Sequence, residues 1–159
     1  MMIPQSQLFI VEQLARITAK EVRYLEQVVN KLRLMNIDLA WVESLENSED
    51  HSVTLDAFVA RFGRLQDTLG DKLLPALLRL NLEKVGSQLD NLFRGEKFGW
   101  IESTQTWIEL RELRNRLVHE YMESTTDLLS ALQLALQSTP ILYKTQVLMA
   151  EVVRKVEGK

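Results

Sequence analysis

Apolar side chains recur every three or four positions along most of this chain, which is the period of a helix and not of a strand. From Gln7 to Leu45 this pattern predicts either one long amphipathic helix or two helices that meet near Met35 and Asn36. The apolar positions of this segment include Leu8, Val11, Leu14, Ile17, Val22, Leu25, Val28, Val29, Leu32, Leu39 and Val42.

Polar residues and prolines predict where the next helices begin and end. The segment 44–52 is polar and acidic apart from Leu45 and predicts a loop that begins within it, and Ser52 or Thr54 is expected to cap the next helix. Pro75 is expected to break or offset that helix, because its ring removes a hydrogen-bond donor and clashes with the preceding turn. A short helix is predicted over Val85–Phe93.

The second half of the chain has the same pattern. Gly95 and Gly99 predict an irregular connection, and Ser103 is expected to start a helix. Ser124 and Asp127 have the spacing of a capping box for the next helix. Thr139 followed by Pro140 predicts a cap and the first position of a final helix to about Val156. We therefore expect one all-α domain over residues 1–159, an up-and-down bundle of about five helices.

Composition narrows the chemistry that this chain can perform. The 159 residues contain no Cys, which excludes disulfides, thiolate catalysis and Cys-based zinc sites. Only His51 and His119 are present, which excludes a multi-histidine metal site within one chain. We expect no metal and no cofactor, and His51 in its acidic surroundings is interpreted as an ordinary surface residue.

Charge and hydropathy bear on partners and location. The net charge of −3 argues against a large nonspecific nucleic-acid surface, although a small local RNA site is compatible with it. The N-terminal segment lacks the pattern of a signal peptide, and no apolar run approaches the roughly 18 residues of a membrane helix. We expect a cytoplasmic protein that does not enter a membrane.

One segment, 111–121, places several chemically active side chains on a helical leucine pattern. Asn115 and His119 are four residues apart, so they share a face, which the pattern extends to Ile108 and Met122. Arg114 lies about 140° from His119 around one helix, so the two converge only through the length of the guanidinium or across a symmetric dimer.

Arg114, Asn115, His119 and Tyr121 resemble the R-x4-6-H signature of HEPN domains. They match the extended R-x4-H-x-Y form of the HEPN proteins that partner a minimal nucleotidyltransferase. The segments TLDAFVARFGRLQD and WIELRELRNRLVHEY are also similar to that branch, and the resemblance covers about 54–142. It implies a HEPN-like four-helix core and a homodimer in which two motifs share a cleft.

The resemblance implies a metal-independent endoribonuclease toxin, with Arg114, Asn115 and His119 as its catalytic residues. Histidine transfers protons near neutral pH, and arginine binds phosphate through two parallel hydrogen bonds. The implied antitoxin is a minimal nucleotidyltransferase that modifies Tyr121 with adenylate, and the added charge would block RNA beside His119.

A different class of function stays open, a non-catalytic subunit that presents a substrate or nucleotide to the nucleotidyltransferase. Each residue also has a structural alternative. His119 is then a surface or interface histidine, Arg114 pairs with a carboxylate, and Tyr121, on the leucine face, is a core residue. Arg111 and Arg116 are expected to be solvated helix charges, with Glu112 available to pair with Arg116.

Overall fold

A computed structural model describes residues 4–158 apart from the side chain of Met122, and within this range the chain forms helices and no strand. The helices are α1 (Gln5–Arg33), α2 (Leu39–Glu43), α3 (Glu49–Asp67), α4 (Leu74–Leu80), α5 (Gln88–Lys97), α6 (Thr104–Glu123) and α7 (Thr125–Gly158). A π-helical turn, Thr68–Leu73, joins α3 directly to α4, so these two helices form one continuous segment.

Contacts at both ends of α1 and α3 show that these helices run antiparallel. Lys31 near the end of α1 binds Asp50 at the start of α3, with 3.1 Å between Nζ and Oδ1. Further back along α1, Glu21 accepts a hydrogen bond of 3.0 Å from the Thr68 hydroxyl at the far end of α3.

The last helix, α7, runs antiparallel to both α1 and α6. Its Gln146 amide donates to the Thr18 hydroxyl of α1 at 3.3 Å, in the interior. Arg33, at the other end of α1, bonds the Leu136 carbonyl of α7. The four long segments α1, α3–α4, α6 and α7 therefore alternate in direction, which confirms the predicted all-α up-and-down bundle.

The core lies between these four segments, with α5 packed against α4 and α6. Its largest fully buried side chains are Trp107, Phe58, Phe62, Leu25, Leu32, Leu55, Leu65, Leu69, Leu73, Leu74, Leu77 and Leu78. All twelve are apolar and belong to the helical pattern along the chain, so burial of this pattern is the main stabilising term of the fold.

Of the two predictions for the first apolar segment, the two-helix one is confirmed. α1 ends at Arg33, and α2 begins after Asp38, whose carboxylate accepts a hydrogen bond of 2.9 Å from the Trp41 amide. A carboxylate at this position satisfies a backbone donor that the first turn leaves unpaired.

The predicted loop within 44–52 is present at Asn47 and Ser48, but α3 begins earlier than predicted, at Glu49. Ser48, and neither Ser52 nor Thr54, is the capping residue, and its hydroxyl accepts from the amide of His51. The Thr54 hydroxyl instead donates to a carbonyl one turn earlier in the helix. The acidic first turn of α3 suits the positive end of the helix dipole.

His51 was expected on the ordinary surface, and the structure corrects this. Its ring stacks on the Trp41 ring at 4.9 Å between centroids, and its Nδ1 lies 2.7 Å from the Ser44 hydroxyl. The half-buried imidazole therefore connects the α2 region to α3. These partners are three-dimensional neighbours, which a polar sequence context does not reveal.

Pro75 offsets its helix without ending it, as one of the two alternatives predicted. It occupies the first turn of α4, directly after the wider π-helical turn. In a regular helix its ring would clash with the carbonyl four residues earlier, which here belongs to that turn. The helix continues, and the change in winding turns Gly70 and Asp71 towards α6.

The short fifth helix lies three residues later than predicted at its start, over Gln88–Lys97. Ser87 and Asp90 form a reciprocal capping box that determines this start. Gly95 lies inside the helix and not in a connection. A Cβ at this position would approach Leu74 Cδ1 to 3.0 Å. The close packing of α5 on α4 therefore explains this glycine.

Ser103 and Ser124 are the capping residues that were predicted, but among the described residues only the serine half of the capping box at Ser124 forms, because the Ser124 amide bonds the Glu120 carbonyl. Ser103 precedes α6, and its hydroxyl accepts from the Thr106 amide at 3.1 Å. Ser124, the single residue between α6 and α7, accepts from the Asp127 amide at 3.3 Å. Both serines therefore satisfy backbone donors in the first turns of their helices.

The predicted helix start at Thr139 and Pro140 is wrong, because α7 runs without interruption from Thr125 to Gly158. Pro140 has no N–H for the Leu136 carbonyl, but two other groups donate to this oxygen. They are the Thr139 hydroxyl at 3.0 Å and the Arg33 guanidinium at 3.4 Å. These replacements satisfy the carbonyl that proline would leave unpaired.

Pro140→Ala should increase the free energy of unfolding by about 2 kcal/mol. Proline costs about 3 kcal/mol more than alanine inside a helix, and the greater conformational entropy of the unfolded alanine variant offsets part of this gain. Urea denaturation measures the change. As a control, Thr139→Val should destabilise wild type by about 1 kcal/mol and the alanine variant by less. A less stable alanine variant would show that the packing requires the proline.

Candidate functional site

The predicted chemistry lies on α6, and the buried face of this helix determines which side chains reach solvent. The buried positions are Trp107, Leu110, Leu113 and Leu117. They pack α6 against α3, α5 and α7. Because the helix turns by about 100° per residue, this packing leaves Asn115 and His119 on its outer face.

Arg114 lies in the contact between α6 and α3. Its Nη1 and Nη2 atoms lie 3.5 and 3.3 Å from the two carboxylate oxygens of Asp67. Position 63 is glycine, and a Cβ there would lie 3.0 Å from Arg114 Nε. Arg114 therefore has the carboxylate partner that its structural alternative required, while 36% of its side chain remains exposed.

Arg111 is not the solvated charge that was expected. It forms an ion pair with Asp71 and donates to the Gln88 side chain at 2.9 Å. Arg116 is exposed, as predicted, but no ion pair with Glu112 forms within the described range 4–158. Two consecutive turns of α6 thus place an arginine against an aspartate of the α3–α4 segment.

His119 and Asn115 both point away from the bundle, on the face predicted for them. The His119 side chain is 68% exposed, and its Nε2 lies 3.7 Å from a carboxylate oxygen of Glu120. Arg114 is turned towards α3, so one protomer does not assemble the three predicted catalytic residues. The mixed face that was predicted includes half-buried Ile108, whereas the Met122 side chain lies outside the described part of the chain.

An apolar surface lies between Arg114 and His119 along the helix. We call it the Val118 patch, formed by Val118 of α6 together with Val59 and Ala60 of α3, with Asp56 and Tyr121 at its edge. Val118 is an aliphatic side chain that is 53% exposed. The patch provides a surface on which a second molecule could bury apolar area.

Tyr121 is half-buried and lines both the Val118 patch and a second depression beside α2. Its hydroxyl donates to the Ser52 carbonyl at 3.3 Å. Burial, helped by the nearby Asp56 carboxylate, raises the pKa of Tyr121 to about 12. The phenol keeps its proton at neutral pH. The position of Tyr121 is compatible both with a structural role and with access from the surface.

Sequence reasoning missed the residues of α3 and the π-helical turn that face α6. They are Gly63, Asp67, Gly70 and Asp71. Two of them are glycines that allow close approach, and two are the partners of Arg114 and Arg111. Asp67 lies four residues after Gly63, and Gly70 and Asp71 lie three and four residues after Asp67, which is the spacing of neighbours on one helical face and the signal that could have identified them.

Metal ligands and membrane-spanning helices also bear on function. Within residues 4–158, no three His, Cys, Asp or Glu side chains are arranged to hold a metal ion. No helix in this range is long and apolar enough to span a membrane.

Comparison of the whole chain with protein-family models, with curated proteins and with solved structures finds no match in any of the three. The function of this chain is therefore inferred from the residues of α6 and their surroundings.

Two glycine substitutions test the close contact between α6 and the α3–α4 segment. Gly70→Ala places a Cβ 2.9 Å from Nε1 of Trp107, which is 1% exposed and has no room to move. It should lower the free energy of unfolding by about 1–3 kcal/mol. Gly63→Ala meets only the flexible end of Arg114 and should stay within about 1 kcal/mol of wild type in urea denaturation. Equal losses would contradict this difference in packing.

The raised pKa of Tyr121 predicts a dependence of stability on pH. Between about pH 10 and 12 the unfolded chain has lost this phenolic proton and the folded chain keeps it, so stability falls as pH rises through this window. Tyr121→Phe has no such proton and should lose less stability between pH 9 and pH 12. Urea midpoints across this range measure the difference, and parallel curves for the two proteins would contradict it.

Proposed function

We propose that this chain is a metal-independent ribonuclease whose site is completed by a second copy of the chain. The observation that supports the proposal is the set of Arg114, Asn115, His119 and Tyr121 on one helix, with His119 and Asn115 exposed on its outer face. This set resembles the HEPN signature, and the all-α bundle agrees with the fold that the resemblance implies.

The reaction follows from the chemistry of these side chains. The 2′-oxygen of a ribose attacks the adjacent phosphorus, and the bond from phosphorus to the 5′-oxygen breaks, which leaves a 2′,3′-cyclic phosphate and a 5′-hydroxyl end. His119 of one copy accepts the 2′-hydroxyl proton and, as the imidazolium, donates it to the leaving 5′-oxygen. Arg114 binds the phosphate oxygens as negative charge develops, and Asn115 orients the imidazole or the phosphate.

The Val118 patch supports the participation of two copies. Val118 lies one turn after Arg114 and directly before His119 on α6. A two-fold axis near this side chain would bring two α6 helices together and bury the patch against its own copy. Arg114 of one protomer would then lie near His119 of its partner.

The partner in the cell is, in this proposal, a minimal nucleotidyltransferase that acts as antitoxin in the cytoplasm. It would transfer adenylate from a nucleoside triphosphate to the Tyr121 hydroxyl and release pyrophosphate. The attached phosphate would add negative charge beside the site and repel RNA. Because the pKa of Tyr121 is raised, the transferase has to supply the base that removes the phenolic proton.

One observation favours a second function, the non-catalytic substrate- or nucleotide-binding subunit of a two-component nucleotidyltransferase. Asp67 already neutralises Arg114, so a phosphate has to displace this carboxylate before the guanidinium can stabilise a transition state. In this alternative Arg114 and His119 only bind the ligand.

Cleavage of RNA in the presence of EDTA distinguishes the two functions. We expect wild type to cleave, His119→Ala to reduce the rate by about 10²–10⁴-fold, and Arg114→Ala by about 10²–10³-fold. Arg116→Ala is the matched control, an exposed arginine of the same helix, and should leave the rate within about threefold. Intact RNA with folded wild type would contradict the ribonuclease, and titration with a nucleoside triphosphate would then test the binding subunit.

Mixing two inactive variants tests whether the site is shared between copies. A heterodimer of Arg114→Ala and His119→Ala retains one site in which both residues are intact. After random subunit exchange we expect about a quarter of the wild-type rate, since half of the dimers are mixed and each has one site of two. No recovery, in a mixture that sedimentation shows to be dimeric, would place Arg114 and His119 of one site in the same protomer.

A further inference from the structure

We propose that a groove between α1 and the α3–α4 segment binds the sugar–phosphate backbone of single-stranded RNA. The proposal rests on the ribonuclease activity proposed above, because the groove would hold the substrate of that site. We call it the basic groove, and its cations are Lys20, Arg61, Arg64, Lys72 and Arg79.

One end of the basic groove is formed by Arg61 and Tyr24. The Arg61 guanidinium donates to the Tyr24 carbonyl at 2.7 Å and lies 5.9 Å from the centre of the Tyr24 ring. The ring is exposed, and Lys20 lies one turn before it on α1. An aromatic ring beside cations is the arrangement on which single-stranded bases stack.

The middle of the groove contains Arg64 and Lys72. Both lie close enough to Glu21 to lower its pKa, although burial raises that pKa by more. Glu21 itself accepts the hydrogen bond from Thr68, so it is held at the base of the groove. Arg64 and Lys72 are exposed above it.

The other end is a cavity of about 510 Å³ at the π-helical turn. Lys72 and Arg79 line it beside Asp71 and Gln88, and Pro75 is part of its apolar wall. Lys72 thus belongs to both the middle and this end and connects them.

The charge balance of the groove is strongly positive. None of its five cations forms an ion pair within residues 4–158. Three carboxylates lie at the groove: Glu21, Asp67, which is close enough to raise the pKa of Glu21, and Asp71, which lines the cavity. Arg114 and Arg111 of α6 form ion pairs with Asp67 and Asp71, so the five cations remain in excess, in a chain whose net charge is −3.

The dimensions favour an extended polyanion. The 18 residue steps from Arg61 to Arg79 span about 27 Å of helix, and four of the five cations lie along it. Arg64 lies three residues before Asp67, the partner of Arg114, so the groove and Arg114 occupy neighbouring flanks of α3. A strand bound in the groove can therefore continue over α3 to the candidate site.

Salt dependence of binding gives a quantitative test. The probe is a fluorescein-labelled 12-nucleotide oligouridine, and the protein is the full chain with His119→Ala, so that the RNA stays intact. Five phosphate contacts at about 0.7 each predict a slope of about −3.5 for log K against log salt concentration, and Arg64→Gln with Lys72→Gln should reduce it to about −2.1. The matched control, Lys97→Gln with Lys155→Gln, removes two exposed lysines elsewhere and should keep the original slope.

Tyr24→Ala should have a different signature. Loss of a stacking ring is expected to weaken binding about tenfold at every salt concentration and to leave the slope unchanged. The proposal is overturned if the oligonucleotide does not bind at 50 mM salt or if both double variants lose the same slope. It is also overturned if the chain prefers anionic phospholipid vesicles to the oligonucleotide.

A deoxyuridine oligonucleotide of the same length separates this proposal from the ribonuclease proposal. It lacks the 2′-hydroxyl that cleavage requires but has the same phosphates, and we expect it to bind with the same slope. Binding with this slope and no cleavage of RNA by wild type would leave the groove standing and refute the ribonuclease. Cleavage by wild type that Arg64→Gln with Lys72→Gln leaves unchanged in KM, kcat and salt dependence would refute the groove.

Discussion

The close packing of α6 on the α3–α4 segment is the contact on which the candidate site depends. Glycines at positions 63 and 70 let Arg114 and Trp107 approach the opposing helix, and Asp67 and Asp71 receive the two arginines. The ion pairs are partly exposed, and such pairs contribute at most about 1 kcal/mol each. The buried Trp107 and leucines supply the stability. The ion pairs of the two arginines determine how α6 is oriented relative to the α3–α4 segment.

This orientation divides the predicted catalytic residues between two surfaces. Arg114 lies against α3 with its charge neutralised, and His119 projects into solvent on the outer face. A proton-transfer group and a phosphate-binding group that point apart in one protomer are chemically useful only when something brings them together. In the dimer that we propose, the second copy would bury the exposed Val118, which lies between them on the helix.

The same packing leaves positive charge on the flank of α3 that is next to α1. Asp67 and Asp71 form ion pairs with arginines of α6, whereas Arg64 and Lys72 lie close to Glu21 of α1 and form no ion pair within residues 4–158. A net charge of −3 therefore coexists with a local excess of cations. The net charge does not reveal this separation, because the separation depends on the helix face that each charged residue occupies.

The sequence by itself determined the helical class and the starts of α6 and α7 after Ser103 and Ser124. It also determined that Arg114 and His119 lie on different flanks of α6. Hydrophobic period and capping determine these features because they act within one or two turns of the chain. The sequence did not determine that Arg33 of α1 helps to satisfy the Leu136 carbonyl, so that α7 continues through Pro140, or that Arg111 forms an ion pair with Asp71. These outcomes depend on partners dozens of residues away in the chain. Only the tertiary structure brings such groups within hydrogen-bond distance, where an unpaired buried donor or acceptor becomes costly enough to decide the conformation.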